Sequence, residues 1–195
     1  IYAAGAVQSG DEDDYFQSSL FTIARRRILW LLILVLANGL TTKVIAMNDQ
    51  ILKEIVLLAA FIPLLIGTGG NVGAQSSTVV IRGLSTQKLK SLGAFKAVIK
   101  ESITGALLGI LMILVVFPFA WWQGEGPLIA SAVGISLISI TTLAATAGAI
   151  LPLLFDRMGL DPALMSSPFI TTVTDIAGVF IYLSTANWLL NSSIL

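Results

Sequence analysis

Residues 102–122 read SITGALLGILMILVVFPFAWW, a run without a charged side chain that is long enough to cross the hydrocarbon core of a bilayer as a helix. Similar apolar runs lie on either side of it. They are continuous and do not alternate between apolar and polar positions, which favours helices over the strands of a membrane barrel. We therefore predict an all-α integral membrane protein with five transmembrane helices, at 28–47, 51–81, 94–122, 127–155 and 163–190. Residues 1–27 are predicted to be a cytoplasmic lead-in and residues 28–195 the transmembrane domain.

The composition supports a membrane protein and excludes several kinds of site. Hydrophobic residues make up 56% of the chain and charged residues 11%, too few charges to cover a soluble domain. The chain has no Cys and no His, which excludes thiolate or imidazole metal sites and the usual nucleophile–His pairs of enzymes. Any bound metal must be held by oxygen, as Mg²⁺, Ca²⁺ and Mn²⁺ are. The net charge of zero argues against a nucleic-acid partner.

Lys and Arg residues are distributed unequally between the predicted loops, nine on one side and two on the other. The nine on the side of the N-terminus are Arg25, Arg26, Arg27, Arg82, Lys88, Lys90, Lys96, Lys100 and Arg157, and the opposite two are Lys43 and Lys53. The positive-inside rule therefore predicts a cytoplasmic N-terminus and an extracytoplasmic C-terminus in the cell membrane. The first apolar run lacks a small-residue cleavage site, so we expect a true span rather than a signal peptide.

Asp175 is the ionisable residue that falls near the middle of a predicted span. Such residues are costly in lipid and usually face a bundle interior or a water-filled path. Ser167, Thr171, Asp175, Gly178 and Tyr182 share one helical face, so we expect a polar stripe that lines a pore. The alternative is a protonated Asp bonded to a neighbouring helix.

A glycine-rich segment, GTGGNVGAQ at 67–75, lies deep in the second predicted span. Its glycines permit close backbone approach or a local distortion that frees carbonyls, and a tight helix crossing is the simpler interpretation. Asn71, Gln75 and Thr78 form a second polar stripe, and Asn71 is a candidate for the outer shell of a hydrated ion. Asp161 precedes Pro162 at the start of the fifth span, where a helix N-cap is the simpler interpretation.

These motifs resemble the MgtE family of Mg²⁺ channels and transporters: the glycine-rich segment with Arg82-Gly83-Leu84 behind it, Asp161-Pro162-Ala163, Ser167-Pro168, and Thr174-Asp175 with Gly178. The resemblance implies a homodimer in the lipid bilayer, with a pore on the two-fold axis lined by the second and fifth spans. We expect the pore lining to include Gly69, Gly70, Gln75, Thr78, Ser167 and Gly178.

The resemblance also implies roles for individual residues. Asp175 matches the intramembrane carboxylate that binds the transported Mg²⁺, and Thr171 matches a position whose backbone carbonyl lies near the ion. Asp161 matches an acidic position at the cytoplasmic mouth that binds Mg²⁺ more weakly and takes part in Mg²⁺-dependent gating. The acidic residues 11–14 would belong to the tail of a helix that plugs this mouth. Cytosolic Mg²⁺-sensing domains are typical of the family, and none falls within these 195 residues, so we expect the membrane domain alone.

Three other interpretations compete with an Mg²⁺ pore. An ion-coupled carrier of a small organic solute would use Asp175 as its coupling site, but no internal repeat supports it. An intramembrane aspartyl hydrolase needs two close carboxylates, and Asp161 lies about 21 Å from Asp175 along a helix. A non-conducting assembly subunit would use the glycine and alanine seams of the third and fourth spans for packing alone.

Overall fold

The computed structural model describes residues 19–86 and 93–192, and these residues form helices joined by short connections. The helices are α1 Leu20–Met47, α2 Asp49–Glu54, α3 Val56–Ser85, α4 Ala94–Ala120, α5 Gly126–Arg157 and α6 Pro162–Ser192. A π-helical turn, Trp121–Glu125, joins α4 to α5. The predicted all-α class is confirmed for this part of the chain. Residues 11–14, and most of the predicted lead-in, lie outside the described residues.

Within the described residues, four helices are long and apolar enough to cross a membrane: α3, α4, α5 and α6. They correspond to four of the five predicted spans. Among the residues whose side chains the structure describes, α1 contains the shorter apolar stretch Leu31–Met47. The first predicted span is therefore helical, but its crossing of the membrane stays a prediction.

The second predicted span, 51–81, begins too early. Its first residues belong to the separate short helix α2, because the backbone at Ile55 leaves the helical region with φ −131° and ψ 85°. The Asn48 amide donates to the Val44 carbonyl at 2.9 Å, and Lys53 pairs with Asp49 within α2. Hydropathy continues through this break because Ile51, Leu52 and Ile55 are apolar, so the sequence pattern does not reveal it.

Helix α5 is the centre of the bundle, and α3, α4 and α6 all pack against it, whereas α1 packs mainly against α6. Small residues allow these close contacts. A Cβ at Gly105 of α4 would lie 2.5 Å from the Thr141 carbonyl oxygen, and a Cβ at Gly109 would lie 2.7 Å from Ile138 Cα. Ser102 and Thr146 add a hydroxyl–hydroxyl bond of 2.7 Å across the same seam. The predicted glycine and alanine seams are therefore packing contacts, between α4 and α5 at Gly105 and Gly109 and between α5 and α3 at Ala144 and Gly148.

Candidate functional site

Helices α3 and α6 run antiparallel and touch along a row of glycines. Cβ atoms built at Gly69, Gly70 and Gly73 would come within 4 Å of Thr174, Thr171 and Ile170 in turn, and one at Gly178 would lie 3.6 Å from Ile66. The glycine-rich segment stays helical throughout. Of the two uses predicted for these glycines, close backbone approach is therefore the one observed.

Two of these glycines admit no side chain without movement of their neighbours. A Cβ at Gly69 would lie 2.6 Å from Ile140 Cγ2 of α5, and a Cβ at Gly73 would lie 2.5 Å from Ile170 Cγ2 of α6. Gly69 is buried, as is Gly178, which faces Ile66 and Ile140. These two predicted lining positions thus lie in the seam with α5, whereas Gly70 is half-buried beside Thr171.

Polar side chains on α3 point away from the bundle. Asn71, Gln75 and Thr78 are all exposed and share one helical stripe. The Thr78 hydroxyl donates to the Ala74 carbonyl at 2.8 Å, which satisfies it within its own helix. The amides of Asn71 and Gln75 make no hydrogen bond to other described residues. This stripe is the most polar exposed surface within the apolar part of α3.

The exposed stripe of α3 continues onto α6. Thr171 is exposed beside Gly70, and Asp175 is half-buried one turn further along α6. The antiparallel contacts place Asp175 at the level of Gly67 and Thr68, with Asn71 one turn away, level with Thr171. Asp175 and Asn71 therefore belong to one polar surface without being side by side.

The Asp175 carboxyl has no partner of opposite charge in the described part of the chain. It forms no ion pair and accepts no hydrogen bond from the described residues. No group of three or more described Asp or Glu residues lies close enough together to hold a metal ion. Among the described residues, a single chain therefore offers one carboxylate at this depth of the bundle.

Around Thr171 the helix carries additional hydroxyl bonds. Pro168 lies inside α6, and its carbonyl accepts the hydroxyls of Thr171 at 3.0 Å and Thr172 at 2.9 Å. The Thr171 carbonyl, predicted to face the ion, accepts the Thr174 hydroxyl at 2.9 Å. Ser167 lies one turn before Thr171 on the same helix.

Asp161 caps the N-terminus of α6. Its Oδ1 accepts the Ala163 backbone N–H at 2.8 Å, and Pro162 occupies the first helical position. The side chain is exposed at this end of the bundle. The predicted N-cap is confirmed, and the cap leaves the second carboxylate oxygen unconstrained.

Sequence reasoning did not single out Gly67 and Thr68 as neighbours of Asp175. Their level relative to Asp175 depends on the register between α3 and α6, which the glycine contacts set. Thr68 lies one turn before Asn71, and this spacing was the signal in the sequence that could have pointed to it. Spacing within one helix does not reveal which residue of another helix lies beside it.

Comparison with known proteins agrees with this architecture. Residues 62–185 match the model of the MgtE family, described as divalent cation transporter. The chain is 37% identical over 192 residues to the magnesium transporter MgtE of Thermus thermophilus, covering 98% of this chain and 42% of that protein. It is 34% identical over 168 residues to the magnesium transporter MgtE of Enterococcus faecalis, covering 84% of this chain and 36% of that protein. It is 31% identical over 182 residues to the protein of that name in Bacillus subtilis, covering 93% and 40%.

The chain spans about two fifths of the length of these relatives. The matched region contains the glycine-rich segment, both polar stripes, Asp161 and Asp175. On this evidence of sequence and fold, the chain belongs to the MgtE family of divalent cation transporters.

Proposed function

We propose that this chain conducts Mg²⁺ across the cell membrane along a path between two copies of itself, and that Asp175 supplies the main charge of the ion site. The relatives are named magnesium transporters, which supports the choice of ion. The observation that carries the proposal is the exposed polar surface formed by Asn71, Gln75, Thr171 and Asp175.

This surface needs a cover that one chain does not provide. Lipid offers no hydrogen bonds, so amides and a carboxyl exposed to hydrocarbon would each cost free energy. In a homodimer, the same surfaces of two copies face one another across a two-fold axis. Water and ions between them would then satisfy the amides, which is the arrangement of a pore.

Charge balance favours two copies of Asp175 around one ion. An ionised Asp at the centre of a span costs about 3 kcal/mol on insertion scales. The attraction between one carboxylate and a divalent ion about 5 Å away is roughly 7 kcal/mol at an effective dielectric constant of 20. The bound ion therefore more than offsets the cost of each carboxylate, and two carboxylates neutralise Mg²⁺.

Mg²⁺ gives up its water reluctantly, so the ion should remain largely hydrated in the site. Asp175 would bond to its water shell, and Asn71, one turn nearer the cytoplasmic end, would contact that shell as the ion moves. The Thr171 carbonyl would have to release the Thr174 hydroxyl in order to face the ion. The selectivity of the proposed site would then depend on the size of the hydrated ion.

Substitution of Asp175 tests the proposal. Asp175→Asn keeps the size of the side chain and removes its charge, so we expect Mg²⁺ flux into proteoliposomes to be abolished while the protein stays folded and dimeric. Asp175→Glu should retain part of the flux, with altered selectivity among divalent ions. Asp156→Asn is the matched control, because Asp156 is exposed at the end of α5, away from the polar surface. Normal flux through the Asp175→Asn protein would place the path elsewhere.

A further inference from the structure

The polar stripe of α3 does not stop at Thr78 but ends in a charge. Arg82 follows Thr78 by four positions, so it continues the helical face of Asn71, Gln75 and Thr78, and it is likewise exposed. The Arg82 carbonyl accepts the Thr86 N–H at 3.1 Å and the Ser85 hydroxyl at 3.0 Å, as the helix ends. Arg82 thus lies where the proposed pore-lining face meets the end of α3 that the positive-inside rule places in the cytoplasm.

Arg82 has no acidic partner within the described part of the chain, where Lys53 and Asp49 form the ion pair. Two other described basic residues at the cytoplasmic end of the bundle do not lie on the polar stripe of α3. Lys96 and Lys100 lie on α4, which packs against α5 on the side of the bundle away from the polar stripe. Arg82 is therefore a described basic residue that continues the polar stripe of α3.

We propose that the two Arg82 guanidinium groups of the dimer form an electrostatic barrier at the cytoplasmic mouth of the path and so lower Mg²⁺ flux through it in both directions. This inference rests on the proposed function. A fixed positive charge repels a divalent ion twice as strongly as a monovalent one, and it acts mainly within one Debye length.

Coulomb's law gives the size of the effect. Two guanidinium groups about 10 Å from the ion in water would lower its local concentration roughly twofold at 0.15 M ionic strength. The same two charges would lower it roughly sevenfold at 0.01 M, because the Debye length grows to about 30 Å. A residue that only complements the helix dipole or binds lipid headgroups would change stability and would not give a flux that follows this dependence on ionic strength.

Flux at two ionic strengths into membrane vesicles of both orientations separates these roles. Inside-out vesicles report Mg²⁺ influx from the cytoplasmic mouth, right-side-out vesicles report influx from the outside, and vesicles carrying Asp175→Asn provide the background. Arg82→Gln should raise influx into inside-out vesicles about twofold at 0.15 M and about sevenfold at 0.01 M ionic strength. Influx into right-side-out vesicles should rise by a similar factor, because a fixed charge on a passive path acts on both directions alike. Arg82→Lys should match the wild type, and Lys100→Gln is the control for a basic residue away from the path.

Because the chain has no cysteine, a single cysteine introduced at position 82 can be modified selectively. This second experiment does not depend on how well the Arg82→Gln protein folds. Arg82→Cys can be modified in folded protein with a positively or a negatively charged thiol reagent. The positive reagent should restore low influx into inside-out vesicles, and the negative reagent should raise it above that of Arg82→Gln. The inference is wrong if the two reagents act alike, or if the effect of Arg82→Gln on influx is the same at 0.15 M and 0.01 M ionic strength. Equal influx with Asp175→Asn and wild type would instead contradict the proposed function.

Discussion

Asp175 and Asp161 lie on the same helix and have opposite local environments. Asp161 is exposed at the start of the helix, where its carboxylate accepts a hydrogen bond from the Ala163 N–H. Asp175 lies half-buried in the middle of α6 without a described partner. A carboxylate in the first position stabilises the helix by itself. A carboxylate in the second position is stable when charged only if water or a cation reaches it.

For Asp161, two substitutions separate capping from charge. Asn is as good an N-cap as Asp, so Asp161→Asn should leave the melting temperature almost unchanged, whereas Asp161→Ala should cost about 1 kcal/mol of stability. If Asp161 also binds cytosolic Mg²⁺ between the two copies, Asp161→Asn should reduce inhibition of flux by millimolar Mg²⁺ on that side. Thermal unfolding in detergent and flux at graded internal Mg²⁺ measure the two effects. Unchanged inhibition with Asn would leave Asp161 with the cap alone.

Prediction from sequence succeeded where a residue differs from its neighbours along the chain. An Asp within an apolar run, and an Asp before Pro, are visible without knowledge of packing. The glycines are different, because a glycine on a helix looks the same whether it faces water or another helix. Gly69 and Gly178 face α5, and only the arrangement of the helices shows it.

Among the helices, α5 fixes how α3 and α6 present their polar faces. Gly148 of α5 lies against the backbone of Gly73 in α3, and a Cβ at Gly148 would collide with the Gly73 carbonyl oxygen. Ile140 of α5 contacts the positions of both Gly69 and Gly178. The spacing between α3 and α6 therefore depends on small residues at their shared contact with α5.

Gly148→Ala should push α3 away from α5. Overpacking of this kind costs about 1–3 kcal/mol, and the added methyl meets backbone, which has no rotamer to change. We expect a lower melting temperature and a reduced Mg²⁺ flux. Gly39→Ala in α1 is the matched control, because a Cβ there would have no atom within 4 Å and alanine favours a helix. A Gly148→Ala protein as stable as the wild type would show that the two helices separate easily.

The sequence predicted the helices of the bundle but not where each one breaks. Apolar runs long enough to span a bilayer identify α3, α4, α5 and α6 without further information. The division between α2 and α3 at Ile55 occurs in residues that are apolar on both sides, so hydropathy carries no signal for it. A break in a helix depends on backbone angles that tertiary contacts select.

In the whole bundle, the described helices cover α5 but leave the polar surface of α3 and α6 exposed. Helix α5 is surrounded by α3, α4 and α6, and α1 adds to the outside of α6. Between Ile103 and Phe119 the exposed residues of α4 are apolar apart from Thr104, as lipid requires, whereas α3 and α6 expose amides, hydroxyls and a charge. The proposed path requires two kinds of exposed surface on one bundle, with lipid on one side and a polar interior on the other.

Topology can be tested with single cysteines, since the chain has none of its own. Ser85 at the end of α3 and Gln123 after α4 are exposed at opposite ends of the bundle. We expect Ser85→Cys to react with an impermeant reagent from the cytoplasmic side and Gln123→Cys from the outer side, in accord with the nine-to-two distribution of Lys and Arg. Labelling of both from one side would contradict the assigned topology.

The central claim, that two copies share one Mg²⁺ site at Asp175, is tested most directly by the flux through mixed dimers. Wild-type and Asp175→Asn chains carrying different affinity tags are co-expressed, and dimers with one chain of each kind are isolated on both tags in turn. Because a shared site would lose half of its Coulomb stabilisation, we predict Mg²⁺ flux per mixed dimer about tenfold or more below that of the wild type. A flux per mixed dimer equal to half the wild-type value would show that each chain conducts independently, and would contradict the account.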